Sequence, residues 1–442
     1  MIALGGTGAR PPAGRGAAAE FGALGLGLTL VMCVMARVPN WSRQLPEFQT
    51  LEAVAFAFYA LAIARLHRYR ALPAAALFVL AVAFATRAAL LPVEPTLSDD
   101  LYRYVWEGRV ILHGGNPYRS APSSAELAAL RDGVIWPRVN HPDLATIYPP
   151  LAEAGFALTQ RIAPGVAAIK AWVVLADLAL VGVLMRLCAA SGRGAAAALV
   201  YAWNPLALIE YAGNGHLEPV AMAPLALALL WLKRRPVLSA LALAAGVLVK
   251  LGPLLALPIL AWRWPARARW ACALALIPGL VWFWRETRGT NSGLGVYWQT
   301  WRNNALFFDW IERWSGQAWQ ARAAALLAVA LVTLWTLWIA LEPARGARAV
   351  FRTATLFSPV IHPWYLGWPL LFEPLAPSAP WLLLSATASL NYGVFAAPAD
   401  RAAFHLSPGW RMVEFGFPAL LAVALWGARR LRRAPDGGAG HA

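Results

Sequence analysis

The sequence predicts an all-α polytopic membrane protein, and three observations carry that prediction. Of 442 residues, 60% are hydrophobic and only 14% charged, whereas soluble chains carry about a quarter charged residues. Mean hydropathy is +0.53. The apolar residues come in long uninterrupted blocks rather than at amphipathic spacing, and a soluble fold has no interior large enough to hide them. The net charge of +16 sits mostly in short Lys/Arg clusters between the blocks, as orientation in a membrane requires. No basic stripe or recognition module points to nucleic acid. Cys33, Cys188 and Cys272 each fall inside an apolar block, with neither disulfide nor metal spacing, and read as packing residues.

The elements follow in chain order. A first block over about 21–38 follows a tail carrying Arg10 and Arg15. It lacks a small-x-small cleavage site, and Met32 before Cys33 does not suit a lipoprotein signal, so the block reads as an uncleaved span. Further blocks lie near 50–65, 72–92, 166–187, 195–211 and 220–232. The stretch 237–262 is broken by Lys250, Gly252 and Pro253, and two short helices meeting there fit it better than one crossing. Later blocks fall near 270–284, 320–341, 350–361, 364–373, 381–397 and 410–427. With full crossings needing about 20 residues, this amounts to about 12–14 transmembrane or partly inserted helices.

With the N-terminus in the cytoplasm and about fourteen crossings, the basic clusters fall on one side. These are Arg65/Arg68/Arg70, Lys233/Arg234/Arg235, Arg263/Arg267/Arg269, Arg345/Arg348 and Arg429/Arg430/Arg432/Arg433. The chain then reads as a single membrane domain with a cytoplasmic tail at 430–442. The opposite side receives two long external loops, 93–165 and 285–319, and short connections around Asn214–Glu218, Lys250–Pro253 and His362–Trp364. Its polar, chemically able residues converge on that external face.

The first loop opens with Ser98-Asp99-Asp100 and a segment whose Leu101, Tyr104, Val105, Ile111 and Leu112 recur at helical spacing. A short interfacial helix is expected, ending at Gly114-Gly115-Asn116-Pro117. The paired aspartates fit either a helix cap or a general base at the membrane surface. Arg103 fits either an orienting partner for a carboxylate or an ordinary surface ion pair. Farther on, the prolines of the Trp136–Pro142 and Thr146–Pro150 strings stiffen the backbone that presents His141 and Tyr148. A lone loop histidine of that kind is more often structural than functional.

In the second loop, Tyr297, Trp298, Gln299, Trp301, Asn303 and Asn304 offer apolar faces and amides to a sugar, or form an aromatic belt. The glycines there are no nucleotide fingerprint, since no strand–turn–helix unit surrounds them. The Glu210–Pro219 hinge carries Asn214 and His216 between two carboxylates. Lys250 is the one charge in a long apolar stretch, which suggests a partner such as phosphate, with snorkelling as the alternative. His362, between Pro359 and Pro363 and ahead of Trp364, marks another broken helix. No cofactor is expected. The histidines and aspartates leave a divalent metal open, although no two histidines share a helix turn.

Five strings in order, SDDLYRYVWEGRVILHGGNPY, NHPDLATIYPP, NPLALIEYAGNGHLEP, VLVKLGPLLALPIL and SPVIHPWYLGWPLLF, resemble the bacterial GT-C glycosyltransferases. The likeness is greatest to polyprenol-phosphate-mannose-dependent α-mannosyltransferases and spans about residues 90–410. The resemblance implies a GT-C-like inverting enzyme of the bacterial cytoplasmic membrane with its site on the external face. It implies that mannose passes from a polyprenyl-phosphate donor to a lipid-linked or glycan acceptor of the cell envelope. It also implies an acidic base in the first large loop, a position filled here by Asp99 and Asp100. The Asp100-x-x-Arg103-Tyr104 spacing is similar to that of lipid-A aminoarabinose transferases and favours Asp100, with Asp99 in support. Arg103, Tyr104, His141, Tyr148, Asn214, His216, Lys250, His362 and Trp364 are the expected substrate-binding residues. The large loop here follows the third span, whereas many GT-C enzymes carry it after the first. Arabinose or glucose in place of mannose, and a polyprenyl-linked sugar carrier, are the alternatives; a carrier would suit the broken helices but would show internal repeats, which the sequence lacks.

Overall fold

The computed structural model describes residues 15–72, 74–289, 292–396 and 406–431. The expected roles of Arg10, Asn291, Arg432, Arg433 and most of the 430–442 tail lie outside the described residues. The protein is 75% helical, and no strand occurs among the described residues. The longer helices are α1 (Arg15–Met35), α2 (Leu45–Tyr69), α3 (Ala75–Leu90), α4 (Asp100–Leu112), α5 (Pro150–Ile162), α6 (Val166–Ala190), α7 (Glu218–Trp231) and α8 (Pro236–Val249). They continue with α9 (Ala266–Thr287), α10 (Gly293–Thr300), α11 (Phe307–Ser315), α12 (Ala318–Trp338), α13 (Pro343–Phe357), α14 (Ala379–Thr387) and α15 (Pro408–Leu431).

Six described helices, α1, α2, α6, α9, α12 and α15, are long and apolar enough to cross a membrane. α3, α7 and α8 are apolar but shorter. The remaining traverses are pieced together from short turns. The stretch 195–211, expected as one span, is covered by a 3-10 turn, two short helical turns and a π-helix over Leu208–Gly213. The 237–262 stretch does break at Lys250: α8 ends at Val249, and Gly252–Ala256 and Leu257–Arg263 carry the chain back. Prolines start many of these pieces, at Pro46, Pro150, Pro219, Pro236 and Pro343, because the first helical turn has no use for the missing N–H.

Polar contacts fix the two ends of the bundle. Glu20 pairs with Arg65 at 2.8 Å and Arg70 donates to the Arg193 carbonyl at 3.1 Å, joining the start of α1 to the ends of α2 and α6. Arg263 reaches the Ala340 carbonyl at 3.1 Å, so the α12–α13 turn lies at this basic end too. At the opposite end, Lys170 near the start of α6 donates to the Leu90 carbonyl at 3.1 Å. Between the ends, Arg87 and Asp177 form an ion pair at 2.7 Å with both side chains fully buried. Tyr201 donates to the same carboxylate at 2.7 Å and Arg87 to the Ala202 carbonyl at 2.9 Å; these added bonds help make a buried pair tolerable, although Arg87 Nη2 has no hydrogen-bond partner.

α4 is not the interfacial helix its apolar stripe suggests. Every residue from Leu101 to Gly108 is buried, Arg103 and Glu107 included. α4 packs on α5 through Gly108, where an added Cβ would meet the Phe156 carbonyl oxygen at 2.5 Å, and through Tyr104 stacked on Phe156 at 4.7 Å.

Candidate active site

A chamber of about 530 Å³ opens at the end opposite the basic clusters. Its walls come from the start of α4, the 140–148 strap, the α10–Asn303 segment and the 360–365 turn. Asp99, exposed, and Asp100, half-buried, stand at the first turn of α4. Neither caps the helix with its side chain; Asp99 sits at the N-cap position without a cap hydrogen bond. Asp100 instead accepts a hydrogen bond from Asn140 Nδ2 at 2.8 Å.

Arg103 does not hold Asp100, nor is it a surface ion pair. Its Nε bonds Glu107 at 2.5 Å, and its two amino groups donate to the carbonyls of Asn140 at 3.1 Å, His141 at 3.0 Å and Leu144 at 2.6 Å. The guanidinium fork suits several fixed acceptors at once. Close by, Thr146 donates to Glu153 at 2.6 Å. Burial, and then the neighbouring Glu107, hold the Glu153 carboxyl well above the usual range. His141 is thus clamped by its carbonyl in a left-handed backbone conformation, φ 43°, and lays its ring against Trp301 at 4.5 Å. Non-glycine residues held at positive φ concentrate at functional sites.

The inner wall is a stack of rings. Trp364 lies between His362, 4.2 Å away, and His216, 3.9 Å away. A short parallel bridge, Asn303 with Val360, ties the second loop to this turn, and Asn303 Nδ2 lies 2.6 Å from His362 Nδ1. Burial, followed by His216 and Lys250, pushes the His362 imidazole down to about 3, so it serves as a neutral hydrogen-bonding group rather than a cation. Behind the stack, the π turn swings Glu210 inward. Glu210 accepts from Tyr392 at 2.5 Å and from Asn214 at 3.3 Å, and its carboxylate lies 3.1 Å from His216 Nδ1.

Lys250 stands where the chamber meets a second, mainly apolar cavity of about 290 Å³, bounded by Leu251, Leu255, Leu294, Phe351 and Trp368. Its partner is the fully buried Glu218, so it does not snorkel, and the cation expected to meet a partner such as phosphate is already paired with a carboxylate. Its ammonium also lies 5.2 Å from the Tyr365 ring, and the Tyr365 and Tyr297 hydroxyls are 3.1 Å apart. Both tyrosines, with Tyr148, border both cavities.

Of the residues expected from sequence, Asp99, Asp100, Arg103, His141, Tyr148, Lys250, His362 and Trp364 line the chamber. Tyr104, Asn214 and His216 do not: Tyr104 sits behind Tyr148, its hydroxyl 3.4 Å away, and the other two support the ring stack. The sequence reading passed over Asn140, Glu218, Tyr297, Trp301, Asn303 and Tyr365 as individual site residues. Tyr297, Trp301 and Asn303 were signalled only collectively, by the aromatic and amide pattern of the second loop, and Glu218 as an acid four residues after Asn214 at a helix start. Among the described residues no group of three His, Cys, Asp or Glu side chains is placed to hold a metal ion.

In this helical membrane bundle a chamber of mixed polarity adjoins an apolar cavity across shared walls, as concave binding sites of mixed chemistry require. The chain belongs to the alpha-(1->6)-mannopyranosyltransferase family, whose N-terminal domain matches residues 17–267, and it is an integral membrane glycosyltransferase of the mannosyltransferase class. No curated protein matches it significantly. The matched region holds Asp99, Asp100, Arg103, Asn140, His141, Glu218 and Lys250; the Trp301 and His362 walls lie beyond it.

Proposed function

We propose that this enzyme transfers mannose, with inversion, from a polyprenyl-phosphate donor to a hydroxyl of a lipid-linked or glycan acceptor of the cell envelope. The observation that carries this reading is the junction itself: an apolar cavity, then a lysine, then a polar chamber with a carboxylate on its wall. The lipid tail occupies the apolar side and the phosphate sits at Lys250. Sugar and acceptor share the chamber, with Asp100 as the base and Asp99 in support. The acceptor oxygen attacks the anomeric carbon, its proton passes to Asp100, and the bond from that carbon to the phosphate oxygen breaks with both electrons leaving on phosphate. Lys250 and the tyrosine hydroxyls stabilise that developing charge. Holding both substrates in line supplies much of the acceleration.

The whole chain acts as one membrane domain in the bacterial cytoplasmic membrane, with the chamber on the external face. This orientation rests on the arginine clusters gathered at the opposite end of the bundle, since basic residues stay in the cytoplasm. The test uses radiolabelled polyprenyl-phosphate-mannose and membranes from a strain lacking the native enzyme. Wild type moves label into product and Asp100→Asn does not, while donor binding persists. Equal turnover by the two proteins would remove Asp100 as base. No transfer by wild type would call for other lipid-linked sugars, and failure with all of them would sink the reading.

A further inference from the structure

We propose that Asn140 is the positioning residue for Asp100 and that Arg103 acts through the Asn140 backbone rather than on a substrate. The inference rests on the reading of Asp100 as the base. Asn140 Nδ2 is the side-chain donor to Asp100, at 2.8 Å. Asn140 belongs to a strap without a long helix, running from Val139 past Pro142 to Pro149, whose middle is also held by the Ser123 amide on the Pro142 carbonyl at 2.8 Å. Arg103 bonds three of its carbonyls, at Asn140, His141 and Leu144, within 3.1 Å. Glu107 holds the guanidinium from the other side, one helical turn on. The far end of the strap is fixed independently: the Thr146 amide donates to the Pro117 carbonyl at 3.0 Å and its hydroxyl to Glu153 at 2.6 Å.

The geometry separates two duties. A substrate-binding arginine keeps donors turned into its cavity, whereas both amino groups and Nε of Arg103 are directed to protein acceptors. Arg103 is 6% exposed and Glu107 1%, so the pair sits in the chamber wall as a fixed strut. The amide of Asn140 then leaves one carboxylate oxygen of Asp100 pinned and its direction set. A base displaced by about 1 Å loses on the order of 100-fold in rate without weakening substrate binding.

The experiment compares full-length protein in nanodiscs carrying Asn140→Ala, Arg103→Ala, Arg103→Lys and the Asn140→Ala/Arg103→Ala pair, using polyprenyl-phosphate-mannose as donor. Because Arg103→Ala strands Glu107, Arg103→Met with Glu107→Gln is measured alongside. Each variant is expected to lose roughly 10–100-fold in kcat with donor KM little changed. The pair loses no more than the worse single variant, and lysine fails to rescue because an ammonium cannot span the three carbonyls. Raised donor KM at unchanged kcat, or losses that multiply in the pair, would overturn the proposal. Hydrogen exchange gives a readout independent of the reaction. The Leu144 amide, which donates to the Arg103-held His141 carbonyl, should exchange roughly tenfold faster without Arg103, while the Thr146 amide, held by the Pro117 carbonyl, serves as the internal reference; unchanged Leu144 protection refutes the strut even if the mannosyl-transfer reading itself has failed.

Discussion

Replacing Lys250 separates its two possible duties, because each has its own magnitude. Glu218 has a fully buried side chain, its ammonium partner is Lys250, and its second oxygen, Oε2, has no hydrogen-bond partner. Lys250→Ala therefore leaves a carboxylate without compensation in low dielectric, which costs about 3–5 kcal/mol in comparable buried pairs. Lys250→Met combined with Glu218→Gln removes both charges and, with the volume kept, should restore most of that stability. Donor binding obeys a different rule. A charge-assisted hydrogen bond to phosphate is worth about 1.5–3 kcal/mol, so losing it weakens the donor roughly 10–150-fold. An ammonium has three donors, so pairing with Glu218 leaves capacity for a phosphate oxygen. Thermal unfolding in nanodiscs and donor titration are thus expected to diverge: the single variant is unstable and binds weakly, and the double variant is stable and still binds weakly. A double variant that binds donor like wild type would show that Lys250 is only the counterion of Glu218.

Two further expectations follow from close contacts at the site. Trp301 borders the chamber but not the apolar cavity, and packs at a tilt against His141 and Tyr297, at 4.5 and 4.9 Å. Trp301→Ala should therefore raise acceptor KM by roughly 2–12-fold, the worth of an aromatic face, with donor affinity unchanged; a selective loss of donor affinity would reverse that assignment. Gly108→Ala should destabilise the protein by about 1–3 kcal/mol by overpacking, since backbone rather than a flexible side chain blocks the new methyl. An unshifted unfolding temperature would mean that the α4–α5 contact yields easily.

Fold class was legible because it depends on sums: the apolar blocks and the positions of arginines between them do not require knowing which helix touches which. The break at Lys250 was legible for a similar reason, since Gly252-Pro253 cannot continue a helix. α4 shows where that reasoning ends. Its polar residues looked like a solvent-facing stripe, yet Arg103 and Glu107 satisfy each other and the 140–144 carbonyls inside the protein. Nothing local distinguishes a buried ion pair from a surface one. Asn140 stayed hidden, and Asn303 and Trp301 were legible only as part of an aromatic and amide loop, because their meaning comes from partners 40, 59 and about 160 residues away. His216 looked like a ligand and proves to be the back of a ring stack, an outcome decided by the π turn at Leu208–Gly213.

The same inner wall bears on whether this architecture suits transfer or carriage. A carrier must open its sugar site alternately to both sides of the membrane, so the wall between chamber and basic end would have to part in every cycle. Here that wall is closed by rings 3.9 and 4.2 Å apart. Behind them lies a buried cluster in which Glu210 is 0%, Asn214 1%, His216 1% and Tyr392 1% exposed. Separating these groups would strand polar atoms that have partners only in the closed arrangement, at about 1–3 kcal/mol for each one left unsatisfied. A transferase makes no such demand: on the proposed reading donor and acceptor would both reach the chamber from its own end, with the lipid tail in the apolar cavity, and a closed inner wall would help to hold the sugar in line. A wall that stays closed would obstruct a carrier and is what in-line displacement requires.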